Sequence, residues 1–269
     1  MLTFIRRLTP ILLIASSVAP AAAQDFVGHR AFYNVTTFER GKPGDGTPIG
    51  TYAYELRLTC DGYAVNARMR LELDGGRTTI VSEQQSQMEE SRDGKKFRFE
   101  HRAAVNGKQT TFTKGEASLE ADGGQARFSE PEGQTVALSA ATLFPVGVSR
   151  AAVRAAKAGE TSFDALLFFG DKVKPPEMAN GFIGKVPRRL AELPMPEGSG
   201  ALTEGHASVY FRVGFFDTAD AKGRGEPVYE MSSLTLDNGI ELFGTHEESD
   251  SAIEYKISRL EALPKPTCN

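Results

Sequence analysis

Apolar and polar residues alternate with a period of two along most of this chain. Between residues 65 and 73 the odd positions are apolar and the even positions are polar, so the two faces of the segment differ in character. The same alternation returns at residues 207–215 and 253–257, and also at residues 52–58, just before Cys60. A strand with one apolar face is typical of an antiparallel sheet that covers a core on one side.

Turn signals separate these alternating segments at short intervals. Asn or Asp followed by Gly suits the positive φ angles of tight hairpin turns. Such pairs occur at Asp61-Gly62, Asp74-Gly75, Asp93-Gly94, Asn106-Gly107, Asp122-Gly123 and Asn238-Gly239. The spacing implies long strands with one apolar face, which tend to curl over a core. The chain therefore predicts an all-β, mainly antiparallel fold, in which a long meander forms a spiral or an open barrel.

Three segments depart from this alternation. The sequence SRAAVRAAK predicts one short helix near residues 149–158, with Ser149 as its N-cap and Gly159 just beyond its end. Its small side chains suit packing on the sheet or plugging one barrel end. The nearly continuous apolar run SFDALLFF, residues 162–169, suggests a central strand covered on both sides. The sequence GKPGDGTPIG, residues 41–50, predicts a connecting loop.

The N-terminus has the features of a secretory signal peptide. Arg6 and Arg7 precede a short apolar run at residues 8–18, and Ala21-Ala22-Ala23 offers a cleavage site. We therefore expect residues 1–23 to be a signal peptide and the mature chain to begin at Gln24. The apolar run is too short to span a membrane, so we expect a periplasmic protein without a transmembrane anchor after signal cleavage.

Two cysteines, Cys60 and Cys268, are the only ones in the chain. In an exported protein they form the one possible intramolecular disulfide. A bridge between them favours a single domain over residues 24–269, because it would otherwise cross a domain boundary. The formal net charge of −4, without clustered basic residues, excludes a nucleic-acid surface.

The sequence shows no catalytic constellation. The nucleophile motif G-x-S-x-G is absent, and the glycine-rich segment at 41–50 lacks the ending of a phosphate-binding loop. His29, His101, His206 and His246 show no metal-ligand spacing, so we expect hydrogen-bonded or surface histidines. Glu89 and Glu90 are neighbours on a strand and point to opposite faces. We therefore predict no enzyme activity, no metal and no cofactor.

Two individual residues, Asp164 and His29, are expected to have structural roles. Asp164 interrupts an apolar segment, and burial without a partner would be costly, so we expect it to pair with an arginine or a backbone donor. His29 opens the mature domain, where a structural role at a strand start is favoured over a ligand role.

Aromatic side chains on inward faces could line a ligand cavity or fill the interior of a curled sheet. The residues concerned are Tyr52, Tyr54, Phe211 and Phe215. Sequence alone favours the role in which these side chains fill the interior of the sheet, and it leaves open the role in which they line a ligand cavity.

Several short segments, taken in order, resemble a known family. They are residues 29–33 (HRAFY), 50–54 (GTYAY), 60–63 (CDGY), 93–97 (DGKKF), 143–145 (LFP), 227–230 (PVYE) and 238–239 (NG), followed by the terminal Cys268. The chain is similar to the EipB family of cell-envelope integrity proteins of alphaproteobacteria. It departs from the family pattern at Tyr63, where the family has Trp, and after Pro145, where the family has a His.

The resemblance implies a periplasmic, strand-rich spiral or open barrel that maintains envelope integrity without an established enzymatic activity. It also implies a bond between the positions of Cys60 and Cys268. We expect the protein to bind an envelope component, whether an envelope protein, peptidoglycan or a lipid. Two alternatives stay open at this point. One is a carrier of an apolar, lipid-like ligand, and the other is a cell-wall hydrolase that uses Asp164 and the histidines.

Overall fold

The computed structural model describes residues 26–39, 42–74, 76, 78–196, 198–218, 225–249 and 251–268, with the backbone alone for residues 42–45. The predicted signal peptide, residues 1–23, lies outside the described residues. The first eight strands are β1 (His29–Glu39), β2 (Lys42–Leu58), β3 (Gly62–Asp74), β4 (Thr79–Ser91), β5 (Lys96–Val105), β6 (Lys108–Glu120), β7 (Gly123–Glu130) and β8 (Thr135–Leu138). The remaining strands are β9 (Thr142–Leu143), β10 (Ser162–Leu167), β11 (Glu177–Gly184), β12 (Ser208–Asp217), β13 (Tyr229–Leu236), β14 (Glu241–Glu247) and β15 (Ala252–Ala262). The helices are α1 (Pro145–Lys157), α2 (Arg188–Ala191) and α3 (Gly200–Thr203).

All fifteen of these strands form one sheet, in the order β8-β7-β6-β5-β4-β3-β2-β1-β15-β14-β13-β12-β11-β10-β9. Neighbouring strands are antiparallel, except that β9 and β10 are parallel. The sheet is barrel-like and nearly closed. Its two edges are the four-residue β8 and the two-residue β9, and such short edges limit pairing with other chains. The predicted curled, mainly antiparallel meander is confirmed.

The Asx-Gly pairs lie where the sequence predicts turns. Asn106 and Gly107 have φ angles of 50° and 75° and connect β5 to β6 as a two-residue hairpin. The Asx residues of the other five pairs also lie at junctions between consecutive antiparallel strands.

Helix α1 begins earlier than the sequence predicts. Pro145 occupies the first turn, where its missing N–H costs nothing. Ser149 does not cap the helix, because its hydroxyl donates instead to the Pro145 carbonyl. A carboxylate from strand β4 takes that role: Glu90 Oε2 accepts a hydrogen bond from the Val146 N–H at 2.9 Å. At the other end, Gly159 has a φ of 78° and follows the helix as predicted.

Helix α1 fills one part of the interior. Its buried residues Val146, Ala152 and Val153 pack in a core cluster against the inner faces of strands β3–β8. Phe144, just before the helix, stacks on Phe97 with ring centroids 4.7 Å apart. A second core cluster lies under strands β1, β2 and β13–β15. Ala152 is one of the small side chains expected to pack on the sheet, and it is buried together with the larger Val153.

Two expectations about individual segments are wrong. Residues 42–50 do not form a loop: they belong to β2 and pair with β1, with bulges that absorb the irregular sequence. Strand β10 is not central either. It lies next to the edge strand β9, and its residue Asp164 is exposed.

Candidate functional site

The four aromatic residues predicted to face inward all lie on the inner face of the sheet, but in different clusters. Tyr52 packs in the second core cluster, and Tyr54 packs against both larger clusters. Phe211 belongs to the cluster around α1. Phe215 stacks on Tyr229 in a third, smaller cluster, with ring centroids 4.4 Å apart. Whether these residues contact a ligand stays a prediction.

Tyr52 and Tyr54 belong to a group of polar and aromatic side chains that we call the interior recess. It consists of Tyr33, Tyr52, Tyr54, Ser233, Glu241 and Tyr255. The Tyr33 ring lies 5.2 Å from that of Tyr52 and 5.6 Å from that of Tyr255. Tyr52 and Tyr255 are also 5.6 Å apart. These three rings therefore contact one another, and Tyr54 adjoins Tyr52 at 6.4 Å.

The recess is surrounded by protein but keeps some accessible surface. Tyr52, Tyr54 and Glu241 are surrounded by protein, yet each keeps part of its side-chain surface accessible. A small polar molecule such as water can therefore reach these side chains. Within the described ranges, the hydroxyl groups of Tyr52 and Tyr54 form no hydrogen bond. Such groups are rare inside proteins unless water or a ligand satisfies them.

Glu241 supplies the acidic group of the recess. A β-bulge between Leu234 and Thr235 shifts the register of β13 against β14 next to this residue. Its carboxylate accepts hydrogen bonds from Ser233 and, at 3.4 Å, from the Tyr255 hydroxyl. Within the part of the chain that the structure describes, it has no ion pair. Burial raises the pKa of Glu241 to about 7 because no nearby cation offsets the loss of solvation.

Glu90 is a second interior carboxylate. It is 4% exposed, and burial raises its pKa to about 7, although hydrogen bonds from Val146 and Gly147 and the charge of Arg150 act in the opposite direction. Tyr54 lies within electrostatic range of both Glu90 and Glu241, and with burial as the main cause its pKa is raised. The barrel interior therefore contains two acids that change charge near neutral pH.

His29 lies beside the recess and has the structural position that the sequence predicts. It opens β1 and contacts the Val27 carbonyl through Nδ1 at 2.8 Å. Burial lowers the pKa of His29, so the ring is neutral at pH 7. Its Nε2 is buried without a partner, and its ring lies 5.8 Å from that of Tyr54.

The remaining histidines form hydrogen bonds, as expected. His101 contacts Ser86 and the Phe169 carbonyl, His206 contacts Asp237, and His246 contacts Glu248. Among the described residues no group of three or more His, Cys, Asp or Glu could hold a metal ion.

Asp164 is not the buried acid that the sequence suggests. It faces solvent and accepts a hydrogen bond from the Asn180 side chain at 2.6 Å. The prediction of an arginine or a backbone donor as its partner is wrong.

Sequence reasoning missed Glu241 as an interior acid and Glu90 as a helix cap. The available signal was an acidic residue between apolar neighbours, because Glu241 stands between Ile240 and Leu242. Asp164 gives the same signal and is exposed. An acidic residue between apolar neighbours therefore does not by itself show whether that residue lies inside the sheet or faces solvent.

The predicted disulfide joins Cys60 to Cys268, with Cα atoms 5.6 Å apart and a sequence separation of 208. Cys60 lies in the turn between β2 and β3, and Cys268 follows the last strand. Both residues are exposed. The bridge therefore holds the C-terminal segment against an early turn.

Fifteen strands curled around a helix and a polar recess define a barrel-like, all-β protein. Within the described ranges, no helix combines the length and apolar character that crossing a membrane requires. A family model described as EipB-like matches residues 20–264. The chain belongs to the EipB-like family.

Two known proteins are similar to this chain. The cell envelope integrity protein EipB of Brucella abortus (strain 2308) is 26% identical over 255 residues, which cover 92% of this chain and 88% of that protein. A crystal structure of a beta-barrel-like protein of domain of unknown function DUF1849 from Brucella abortus has a TM-score of 0.76. It is 24% identical and covers 89% of this chain and 99% of that chain, and it shares the fold.

Proposed function

We propose that this chain maintains the integrity of the cell envelope from the periplasm, by binding an envelope component in the interior recess. The observation that carries the proposal is the recess itself, where the hydroxyl groups of Tyr52 and Tyr54 form no hydrogen bond within the described ranges and no cation of those ranges pairs with Glu241. A protein that only filled its core would satisfy or exclude such groups. The name of the Brucella relative supports the envelope role.

The proposal assigns a binding role and no catalysis. Its support is that the recess combines one carboxylate with serine and tyrosine hydroxyls, a set of hydrogen-bonding groups suited to holding a polar ligand. The polar lining favours a ligand with polar groups. A wholly apolar ligand, the alternative suggested by the sequence, would leave the hydroxyls of Tyr52 and Tyr54 without hydrogen bonds and the charge of Glu241 without a cation.

The test is to fill the recess and measure envelope integrity. Ser233→Leu places a larger apolar side chain beside Glu241, whereas Ser118→Leu makes the same change at an exposed strand position. Each variant is introduced into a strain that lacks the endogenous gene. We expect Ser118→Leu to restore growth on detergent and Ser233→Leu to fail, with equal amounts of exported protein and matching circular dichroism spectra. Full complementation by a folded Ser233→Leu protein would refute the proposal.

A further inference from the structure

The charge and hydrogen-bonding groups of the interior recess define the chemistry of its ligand. We infer that the recess binds a primary ammonium group, held by the Glu241 carboxylate and the hydroxyl oxygens of Tyr52 and Tyr54. This inference rests on the proposed function and specifies the ligand class for the same site.

The first argument is charge. Glu241 is enclosed by protein, and its hydrogen-bond partners, Ser233 and Tyr255, are both neutral. A buried carboxylate is stabilised mainly by a cation, and within the described residues the chain provides none to Glu241. A cationic ligand group would supply that charge.

The second argument is the number of acceptors. A primary ammonium group has three N–H donors and no acceptor. The carboxylate of Glu241 can take one donor, and the oxygens of Tyr52 and Tyr54, which form no hydrogen bond within the described ranges, can take the other two. The three donors and the three acceptor groups therefore match.

The third argument excludes a quaternary ammonium group. Proteins bind such groups in cages, where the cation lies against the faces of several aromatic rings. Here Tyr33, Tyr52 and Tyr255 have centroids 5.2–5.6 Å apart. Rings at this distance contact one another and leave no room for a trimethylated nitrogen between them.

Binding should also depend on pH, because only ionised Glu241 attracts a cation. The other titratable groups that face it are Tyr33 on β1, Tyr52 and Tyr54 on β2, and Tyr255 on β15. Burial raises the pKa of each tyrosine, so none ionises near neutral pH. With a pKa of about 7 for Glu241, the ionised fraction and the apparent affinity rise roughly tenfold between pH 6 and pH 8.

Tyrosine fluorescence provides a direct assay, because the chain has seven tyrosines and no tryptophan, and four of those tyrosines belong to the recess. The probes are ethanolamine, its quaternary analogue choline and uncharged ethylene glycol, titrated into the purified oxidised protein at pH 8. We expect saturable binding of ethanolamine, at least tenfold weaker binding of choline, and no saturable change with ethylene glycol.

Three carboxylate-to-amide variants locate the site. Glu241→Gln should weaken ethanolamine binding at least tenfold, since hydrogen bonds to charged groups are among the strongest. Asp164→Asn removes an exposed carboxylate, and Glu90→Gln removes the other interior acid that titrates near pH 7. Both should stay within twofold of the wild type. Equal binding of ethylene glycol, or unchanged binding by folded Glu241→Gln, would overturn the inference.

The source of the amine can be assigned with two larger probes. Glycerophosphoethanolamine represents a phospholipid head group, and Nα-acetyl-lysine represents the amine of a wall peptide. Tighter binding of either one supports the inference and assigns the source. If the amines fail to bind while Ser233→Leu still abolishes complementation, the inference fails and the proposed function stands.

Discussion

At the scale of single residues, Glu90 and Glu241 couple the folded state to protons. Both lie inside the sheet, and burial raises the pKa of each to about 7. An unfolded chain exposes these groups to water, where a glutamic acid has a pKa of 4.5. Between the two values the folded protein retains protons that the unfolded chain has lost, so folding is linked to proton binding.

The first prediction follows from the sign of this linkage for Glu90. Its protonated form contributes stability that is fully present below pH 4.5 and is lost as the pH rises through about 7. The change amounts to about 3 kcal/mol at most. Urea unfolding of the wild type at pH 5 and pH 8 should show lower stability at pH 8, and Glu90→Gln should reduce the difference.

The neighbouring residue Glu89 provides the matched control. It lies on the opposite face of β4, and its side chain is 64% exposed. Glu89→Gln should therefore retain the pH dependence of the wild type. If Glu89→Gln and Glu90→Gln behave alike, the burial of Glu90 is not the cause of the linkage.

At the scale of elements, the end of α1 is fixed by backbone conformation. Gly159 has a φ of 78° and donates its N–H to the Ala156 carbonyl, and the Glu160 N–H reaches the Ala155 carbonyl. These two bonds form a Schellman motif. A Cβ atom at Gly159 would meet no other atom within 4 Å. A substitution there therefore tests conformational strain without a steric clash.

The second prediction is that Gly159→Ala lowers the free energy of unfolding by about 1 kcal/mol, because alanine disfavours a positive φ. Gly159→Asn should cost less, since asparagine tolerates this conformation better. Denaturant unfolding of both variants measures the difference. An alanine variant as stable as the wild type would show that the helix can end in another way.

The same elements show what the sequence can and cannot predict. Alternation and Asx-Gly turns predict most strands, because each depends on residues that are close in sequence. The start of α1 was missed because its cap, Glu90, is 56 residues from Val146. Residues 42–50 contain Gly and Pro and still join β2, because β1 pairs with them through bulges. The start of α1 and the strand at residues 42–50 both depend on contacts with other parts of the chain, which a local sequence pattern does not show.

The residues of the interior recess also include some that the sequence predicts and one that it does not. The inner-face positions of Tyr52 and Tyr54 follow from alternation. The role of Glu241 does not, because the register shift beside it arises only where β13 and β14 pair.

At the scale of the whole molecule, the disulfide constrains the unfolded chain. The loop between Cys60 and Cys268 spans 208 residues, and the chain-entropy model gives about 5 kcal/mol as an upper value for its stabilisation. The third prediction is that Cys268→Ser lowers the melting temperature by several degrees or more. A reductant should lower that of the wild type to a similar value.

The variant provides its own control, since reductant should not change the melting temperature of Cys268→Ser. Differential scanning calorimetry with and without reductant measures all four conditions. Identical curves for oxidised and reduced wild-type protein would show that the bridge contributes little to stability.

The order of the strands has a consequence for how the chain is made. Strand β1 pairs with β2 on one side and with β15 on the other, so the middle of the sheet joins the earliest strand to the last. When the chain folds, β1 keeps an unpaired edge until residues 252–262 are available, and the sheet can be completed only then. Until then the free edge of β1 is open to association with other chains.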